Sequence, residues 1–296
     1  MSKPVCVIVT AWNQAQKTMA CLESVVAQDY DNVSTLLVDN GSEDDTIEQV
    51  SAAFPQVEIL SLPRNLGPTG GYNAGFRHAL SNSFSLIFLL NNDTRLAPGC
   101  VRELVAEAET APEIGLVMPK IYYAHDPKRI WSIGGWDNPW NLEVLRPAND
   151  QIDEGQWEEP LDIDDAPFCA VLLKRELLDT IGLPNEAFFL YYEDRDFCRR
   201  ARLAGFRLRL APAAHMWHVV SASSGGSDSP AERYWMARSG VLFFRKNMDM
   251  RSRWFIVIPW RAASAFRTTW RLLRKGRFSS IKAYWLGLWH GIRGQT

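Results

Sequence analysis

An α/β fold, a mostly parallel sheet flanked by helices with a C-terminal helical extension, is the class this sequence predicts, and three observations carry it. Short, continuously apolar runs rich in β-branched residues recur at 5–10 (VCVIVT), 35–39 (TLLVD), 57–60 (VEIL) and 85–91 (SLIFLLN). Runs that do not alternate with polar residues suit strands buried on both faces. Helix-length stretches separate them at 13–29, around 43–53 and around 71–82, as crossover connections between parallel strands require. Polar punctuation then falls where the strands should end: TAWN at 10–13, DNGSEDDT at 39–46 and NNDT at 91–94. Open sheets of this kind bind ligands along that edge, so chemistry is expected there.

The rest of the chain continues the pattern after one interruption. Residues 100–111 read as a helix and GLVMPKIYY as a strand; the texture then changes to Trp, Gly, Pro, Asn and acids. Ten acidic residues and one basic residue lie between Asp137 and Asp165. Residues 124–166 are expected to be an insertion near the ligand edge, too short to own a core. PFCAVLLKRELLDTIG at 167–182 gives a strand and a helix. A loop, an amphipathic helix from about 194 to 204, a Gly stop and another strand follow. APAAHMWH at 211–218 reads as a loop, and SASSGGSDS at 221–229 as a mobile one. The expected division is one α/β domain over 1–245 and a basic, aromatic helical extension over 246–296.

With 296 residues, 47% of them hydrophobic, the chain can bury a sizeable core without disulfides or structural metal. Cys6, Cys21, Cys100, Cys169 and Cys198 are odd in number and contain no CxxC pair. They point to a reducing compartment and away from a sulfur-rich zinc site. The apolar stretches fall short of a bilayer span or a signal peptide, so a cytoplasmic chain is expected. The net charge of -2 hides a split: residues 1–232 carry -15 and residues 233–296 carry +13. Nothing in that balance calls for a nucleic-acid partner.

Three constellations could carry chemistry. Asp39 closes a strand, so its carboxylate would project into the cleft; a plain cap and turn is the competing reading. Asn91 and Asp93 stand a residue apart at another strand end. Such a pair can hold Mg²⁺ or Mn²⁺ against a diphosphate, because hard cations take carboxylate and carbonyl oxygens, or simply form a turn. RNLGPTGGYNAG at 64–75 adds four glycines that allow close backbone approach, with Arg64 and Asn65 able to face a nucleotide or phosphate. It is neither a P-loop nor a dinucleotide fingerprint. In YYEDRDFCRR at 191–200, Glu193, Asp194 and Asp196 crowd a loop-to-helix junction, which favours capping but also raises one pKa by repulsion, as a general base needs. His218, and less so His215, could be a metal ligand or a phosphate contact.

TAWN, DNGS, RNLGPTGGYNAG, LLNNDT, YYEDRDFCRR and WHVVSASSGG, in this order over roughly residues 4–245, resemble the family 2 inverting glycosyltransferases of GT-A fold, most closely their rhamnosyltransferase-like branch. The resemblance implies a donor pocket of Thr10, Asp39, Asn40, Arg64, Asn65, Gly71, Asn91, Asn92 and Asp93, with Asp39 on the nucleotide base. It implies Mg²⁺ or Mn²⁺ held by Asp93, Asn91 and His218, and the catalytic pair Glu193 and Asp194, with Asp194 as base. The implied reaction is a single displacement with inversion. The first donor guess is deoxythymidine-diphospho-rhamnose, followed by other deoxythymidine- or uridine-linked sugars and a galactofuranosyl donor. The acceptor would be a surface polysaccharide or a lipid-linked oligosaccharide. Trp131, Trp136 and Trp140 could wall the acceptor side or seal the insertion against the sheet. From Tyr234 onward, basic residues mix with Trp, Tyr and Phe, which suits helices lying on an anionic membrane surface, or helices packed on the acidic body. A homo-oligomer is a further expectation. A non-catalytic sugar- or lipid-binding scaffold and a nucleotidyltransferase are the competing classes.

Overall fold

A computed structural model describes residues 2–220 and 227–294. The chain runs β1 (Val5–Ala11), α1 (Ala15–Val26), β2 (Val33–Asp39), α2 (Thr46–Ala53), β3 (Glu58–Ser61), α3 (Gly67–Ser81), β4 (Leu86–Asn91), β5 (Thr94–Leu96), α4 (Cys100–Ala108) and β6 (Ile114–Tyr123). The insertion supplies β7 (Asp126–Ser132), β8 (Trp136–Asp137), β9 (Val144–Leu145) and β10 (Leu161–Ile163). Then come β11 (Ala170–Lys174), α5 (Arg175–Ile181), α6 (Glu193–Leu203) and β12 (Arg207–His218). The extension holds α7 (Pro230–Asn247), the short α8 (Met250–Ser252), a π-helical turn (Arg253–Val257), α9 (Ile258–Arg274) and α10 (Phe278–Arg293). The boundary expected after residue 245 falls inside α7.

One sheet organises the body, in the order β10-β12-β6-β11-β4-β1-β2-β3, with β5 on β12 and β7 on β6. β1, β2, β3 and β4 are mutually parallel, as the apolar runs predict. β11 runs against both β4 and β6, and β6 is parallel to β12. The insertion is fastened to this sheet. Lys120 on β6 is completely buried, and its Nζ donates to Asp153 at 2.9 Å and Glu158 at 2.8 Å. A buried ammonium tolerates that position only when paired.

Two expectations change. The glycines of 64–75, expected to allow close backbone approach ahead of a helix from about 71, lie inside that helix: Gly67, Gly70, Gly71 and Gly75 are buried in α3, which begins four residues earlier. A Cβ on Gly75 would sit 2.6 Å from Ile8 and 3.1 Å from Val38, so this glycine brings the helix close to β1 and β2. APAAHMWH is likewise strand, not loop. β12 pairs with β6 on both sides of an irregularity between Ala211 and His215, where Pro212 has no N–H to give the ladder. All five cysteines are free and buried. Residues 221–226 of the expected mobile loop lie outside the described residues.

α7 starts with a capping pair. Ser229 Oγ accepts the Glu232 N–H at 3.1 Å, with Pro230 at the first helical position. The preceding Asp228 is buried and binds Lys275 at 2.8 Å and Arg271 at 2.9 Å, which ties α7 to α9. α10 lies on α7 through glycines: a Cβ at Gly287 would come within 2.3 Å of the Tyr234 carbonyl oxygen.

Candidate active site

Strand register sets the first half of the site. Thr10 on β1 pairs with Val38 on β2 and Asn91 on β4, and Ala11 pairs with Asp39, so the three strands end level with one another. Asp39 is 1% exposed; its Oδ2 accepts the Ser42 N–H at 3.2 Å, while its buried Oδ1 has no partner among the described residues. A buried acceptor left open at a cleft is poised for a ligand donor. The cleft, about 350 Å³, is lined by Asp39 together with Trp12, Ser42, Leu62, Arg64 and Asn65. Gly41 shapes it: φ is +76°, and a Cβ would stand 2.5 Å from the Arg64 backbone, so only glycine fits. Asn40 holds the pocket wall and does not point into the cleft. Its Nδ2 donates to Asn65 Oδ1 at 3.2 Å and Gly67 O at 3.0 Å, and its Oδ1 accepts the Leu66 N–H at 2.9 Å. Gly71 abuts this amide, a Cβ there lying 3.2 Å from Asn40 Nδ2.

Asp93 and His218 meet at the neighbouring strand ends. His218 Nε2 lies 3.1 Å from Asp93 Oδ1, and Val219 N–H donates to Asp93 O at 2.9 Å. Burial opposes a charge on His218, but Cys169 and Asp93 outweigh it and push the imidazole up to about 10. Trp131 packs edge-on against His218 at 4.7 Å. Trp136 donates to Asp162 O at 3.0 Å and closes the insertion against the sheet, and Trp140 is 72% exposed. Asn91 turns its Oδ1 to the Tyr72 hydroxyl at 3.0 Å, Asn92 donates to Thr18 Oγ1 at 2.9 Å on α1, and Thr10 Oγ1 donates to Leu90 O at 3.4 Å. Asn92 and Thr10 therefore brace the strand ends. Among the described residues no three His, Cys, Asp or Glu side chains could hold a metal ion together. Asp93 fits a hard divalent cation as part of a shell completed by oxygens of a bound diphosphate, and His218 could join it only after its ring gives up the proton it shares with Asp93. A second cavity of about 550 Å³ is lined by Asp93 together with Lys17, Arg95 and Trp217.

The second half of the site begins at α6. Tyr191 and Tyr192 have φ of 64° and 69°, an unfavourable backbone for bulky residues, and they turn the chain so that Glu193 and Asp194 open the helix. Glu193 is 6% exposed with Oε2 unpartnered among the described residues; burial and then Asp194 raise its carboxyl well above the usual range. Asp194, half-buried, accepts the Arg195 N–H at 2.7 Å. Burial first and Asp165 second lift it from 3.8 to about 6. A helix N-terminus favours a carboxylate by roughly 0.3–1 kcal/mol, whereas that shift corresponds to roughly 3 kcal/mol the other way. Burial wins. Asp196, the third acid, is fully buried and neutralised by Arg200 at 3.0 Å and Lys246 at 2.8 Å, so it braces the helix.

The insertion supplies what the sequence reading missed. Asp165 is 1% exposed and binds Arg146 at 2.5 Å, with Arg195 Nε at 3.8 Å. Asp164 binds Arg202 at 2.6 Å, and Asp137 faces Arg195 at 3.5 Å. The acids of 137–165 thus answer the arginines of α6; the complementary runs DIDDAP and RDFCRRAR were the available signal. Tyr72 was also missed. Burial, followed by Glu193, Cys169, Asp194 and Asp93, holds its phenol well above the usual range, which sets it between the two halves.

The sequence model of glycosyl transferase family 2 matches residues 6–182. The chain belongs to that family. Among curated relatives, it is 21% identical to the dTDP-rhamnosyl transferase RfbF of Shigella flexneri over 100% of this chain and 98% of that protein. It is 28% identical over 84% of its length to the uncharacterized protein y4gI of Sinorhizobium fredii, of which it spans only 27%. The mannosyltransferase PcManGT of Pyrobaculum calidifontis, solved with GDP-Man and Mn²⁺, superposes over 100% of this chain and 89% of its own with a TM-score of 0.63 and 16% identity. This family 2 chain therefore has the GT-A fold, with the rhamnosyltransferase-like branch among its relatives.

Proposed function

We propose that this chain transfers a sugar, L-rhamnose from deoxythymidine-diphospho-rhamnose as the first choice, to a hydroxyl of a polysaccharide or lipid-linked saccharide, with inversion at C1. The observation that carries the reading is the pairing of two unlike halves: open acceptors and a cation-ready Asp93 at the strand ends, and a carboxylate of raised pKa at α6. The relative RfbF supports the choice of donor.

Asp39 Oδ1 takes a donor N–H from the nucleotide base, and Trp12, Arg64 and Asn65 line its cleft. Asp93 would hold Mg²⁺ or Mn²⁺, with His218 joining it as the neutral imidazole and Asn91 beside them. When bound, the cation supplies neutralising charge to the departing nucleoside diphosphate. Asp194, ionised above pH of about 6, removes the proton from the acceptor hydroxyl as that oxygen bonds C1 and the C1–O bond to the diphosphate breaks. Glu193, whose carboxyl burial and Asp194 push upward, stands beside it and orients the acceptor. Trp131 offers a flat apolar edge to the incoming sugar.

The test is a donor screen on the purified chain with Mg²⁺ or Mn²⁺, reading free nucleoside diphosphate and glycosylated acceptor by mass. Release from a deoxythymidine- or uridine-linked sugar that stops on chelation is the expected result. No release from any such donor, or full activity after exhaustive chelation, overturns the reading or its metal.

A further inference from the structure

α9 buries one face and exposes another. Val257, Ala265 and Leu272 are buried, and between them Arg261 lies 5.2 Å over the Phe244 ring. On another face Ile258, Ala262, Phe266 and Trp270 follow at four-residue steps, with Phe255 a turn earlier and Leu273 a turn later. That spacing lines them along one side of the helix. Phe255 is 81% exposed, Phe266 73% and Trp270 54%. α10 repeats the device with Phe278, Lys282, Trp285, Trp289 and Ile292. Trp285 Nε1 donates to Thr269 Oγ1 at 3.2 Å, so the two stripes adjoin and make one surface.

Cations border this surface. Arg267 lies over Trp260 at 5.2 Å, Arg274 over Trp270 at 4.8 Å and Arg293 over Trp289 at 4.0 Å. Among the described residues none of Arg267, Arg274, Lys282 and Arg293 has a carboxylate within ion-pair distance, and Asp249 is the one acid after Glu232. The basic charge of the extension is spent only in part on the acidic body, at Asp196, Glu143 and Asp228. No described helix is long and apolar enough to cross a membrane.

We propose that α9 and α10 lie flat on an anionic lipid bilayer, with the aromatic stripes at the boundary between headgroups and acyl chains and the bordering cations on lipid phosphates. Indole rings and arginines belong at that depth, where an apolar body and a polar tip are both satisfied. A second copy of the chain fits worse, because a symmetric contact would set one surface bordered by unpaired cations against another. The buried side of the layer reaches the catalytic segment. Tyr192, next to Glu193, packs on Phe243 at 5.4 Å, while Phe244 carries Arg261 of α9. Docking would therefore hold Glu193 and Asp194 at a fixed height above the bilayer, suited to a lipid-linked acceptor. That last step rests on the glycosyl-transfer reading; docking does not.

The experiment is co-sedimentation of the full chain with phosphatidylcholine vesicles, with and without phosphatidylglycerol. No sugar donor is needed, so its failure is separate from failure of the transferase reading. Binding at least about tenfold tighter to the anionic vesicles, weakening with salt, is expected. The double change Phe266→Ser and Trp270→Ser should lower it by about tenfold or more. Should that variant misfold, Arg267→Gln with Arg293→Gln, both at exposed positions, should lose roughly fivefold per charge. Brominated lipid should quench tryptophan fluorescence in the native chain. Equal sedimentation with both vesicles, or a stable dimer whose tryptophans are shielded from brominated lipid, overturns the proposal.

Discussion

Asp39, Asn91 and Asp93 hang from the ends of parallel strands, whereas Glu193 and Asp194 begin a helix whose charges are answered by the insertion at 124–166. The strand-end half is assembled by register: Thr10 fixes the level of its neighbours on both sides, and few side chains are needed to hold the geometry. The helix half is assembled by charge, with Asp137, Asp164 and Asp165 facing Arg195, Arg199 and Arg202 across the insertion. Backbone placement suits recognition, which needs acceptors fixed in space. Buried charge suits chemistry, which needs a proton affinity moved toward neutrality.

The largest effect should fall on the helix half. Asp194→Asn keeps shape and hydrogen bonding but cannot take a proton, so kcat should drop about 10³-fold with nucleotide affinity changed less than about twofold. Turnover within tenfold of the native chain would assign the base elsewhere. In the strand-end half, Asp93→Ala removes the carboxylate paired with His218. It should cost about 10² in kcat/KM and abolish the response to added Mn²⁺. A variant that still titrates normally with Mn²⁺ would break the division of labour drawn here. Asp39→Asn is a smaller change of the same half. It keeps an oxygen for the Ser42 N–H but loses the charge at Oδ1, and should weaken nucleoside diphosphate binding about tenfold, read by calorimetry, with kcat nearly unchanged.

The same two halves differ in how far the sequence discloses them. Strand ends are legible because continuous apolar runs stop abruptly at Asp39 and Asn91, and a parallel sheet then leaves little freedom in where those residues stand. The helix half is legible only as a cluster. The acids of YYEDRD announce themselves, but Asp196 proves to be a brace held by Arg200 and Lys246, a distinction that depends on packing from α7. Asp165 and Arg146 sit on segments with barely any regular structure, so no periodicity points to them. The glycines of 64–75 are ambiguous for a physical reason: glycine admits a ligand and a close helix–sheet contact alike, and the 2.6 Å between a Cβ on Gly75 and Ile8 shows the second at that position. Tyr72 reads as an ordinary helix aromatic until its hydroxyl is found on Asn91.

The smallest expected effect bears most directly on the comparison, because it asks whether the insertion sets the chemistry or merely packs beside it. Asp194 must be ionised to act, so activity should fall as pH drops through about 6. After burial, Asp165 is the leading cause of that raised value, while Arg146 and Arg195 pull it down. Asp165→Asn removes the negative charge and frees both arginines, and the two changes act in one direction. The acidic limb of kcat/KM should therefore move to lower pH by roughly half to one unit, raising the relative rate at pH 5 a few-fold and leaving the plateau above pH 7 nearly as it was. Breaking the bond to Arg146 also destabilises the insertion, so the unfolding midpoint should be measured on the same sample. A folded variant whose acidic limb stays in place would mean that desolvation alone tunes Asp194. The acids of 137–165 would then serve only to neutralise α6, and both halves of the site would be set by backbone placement after all.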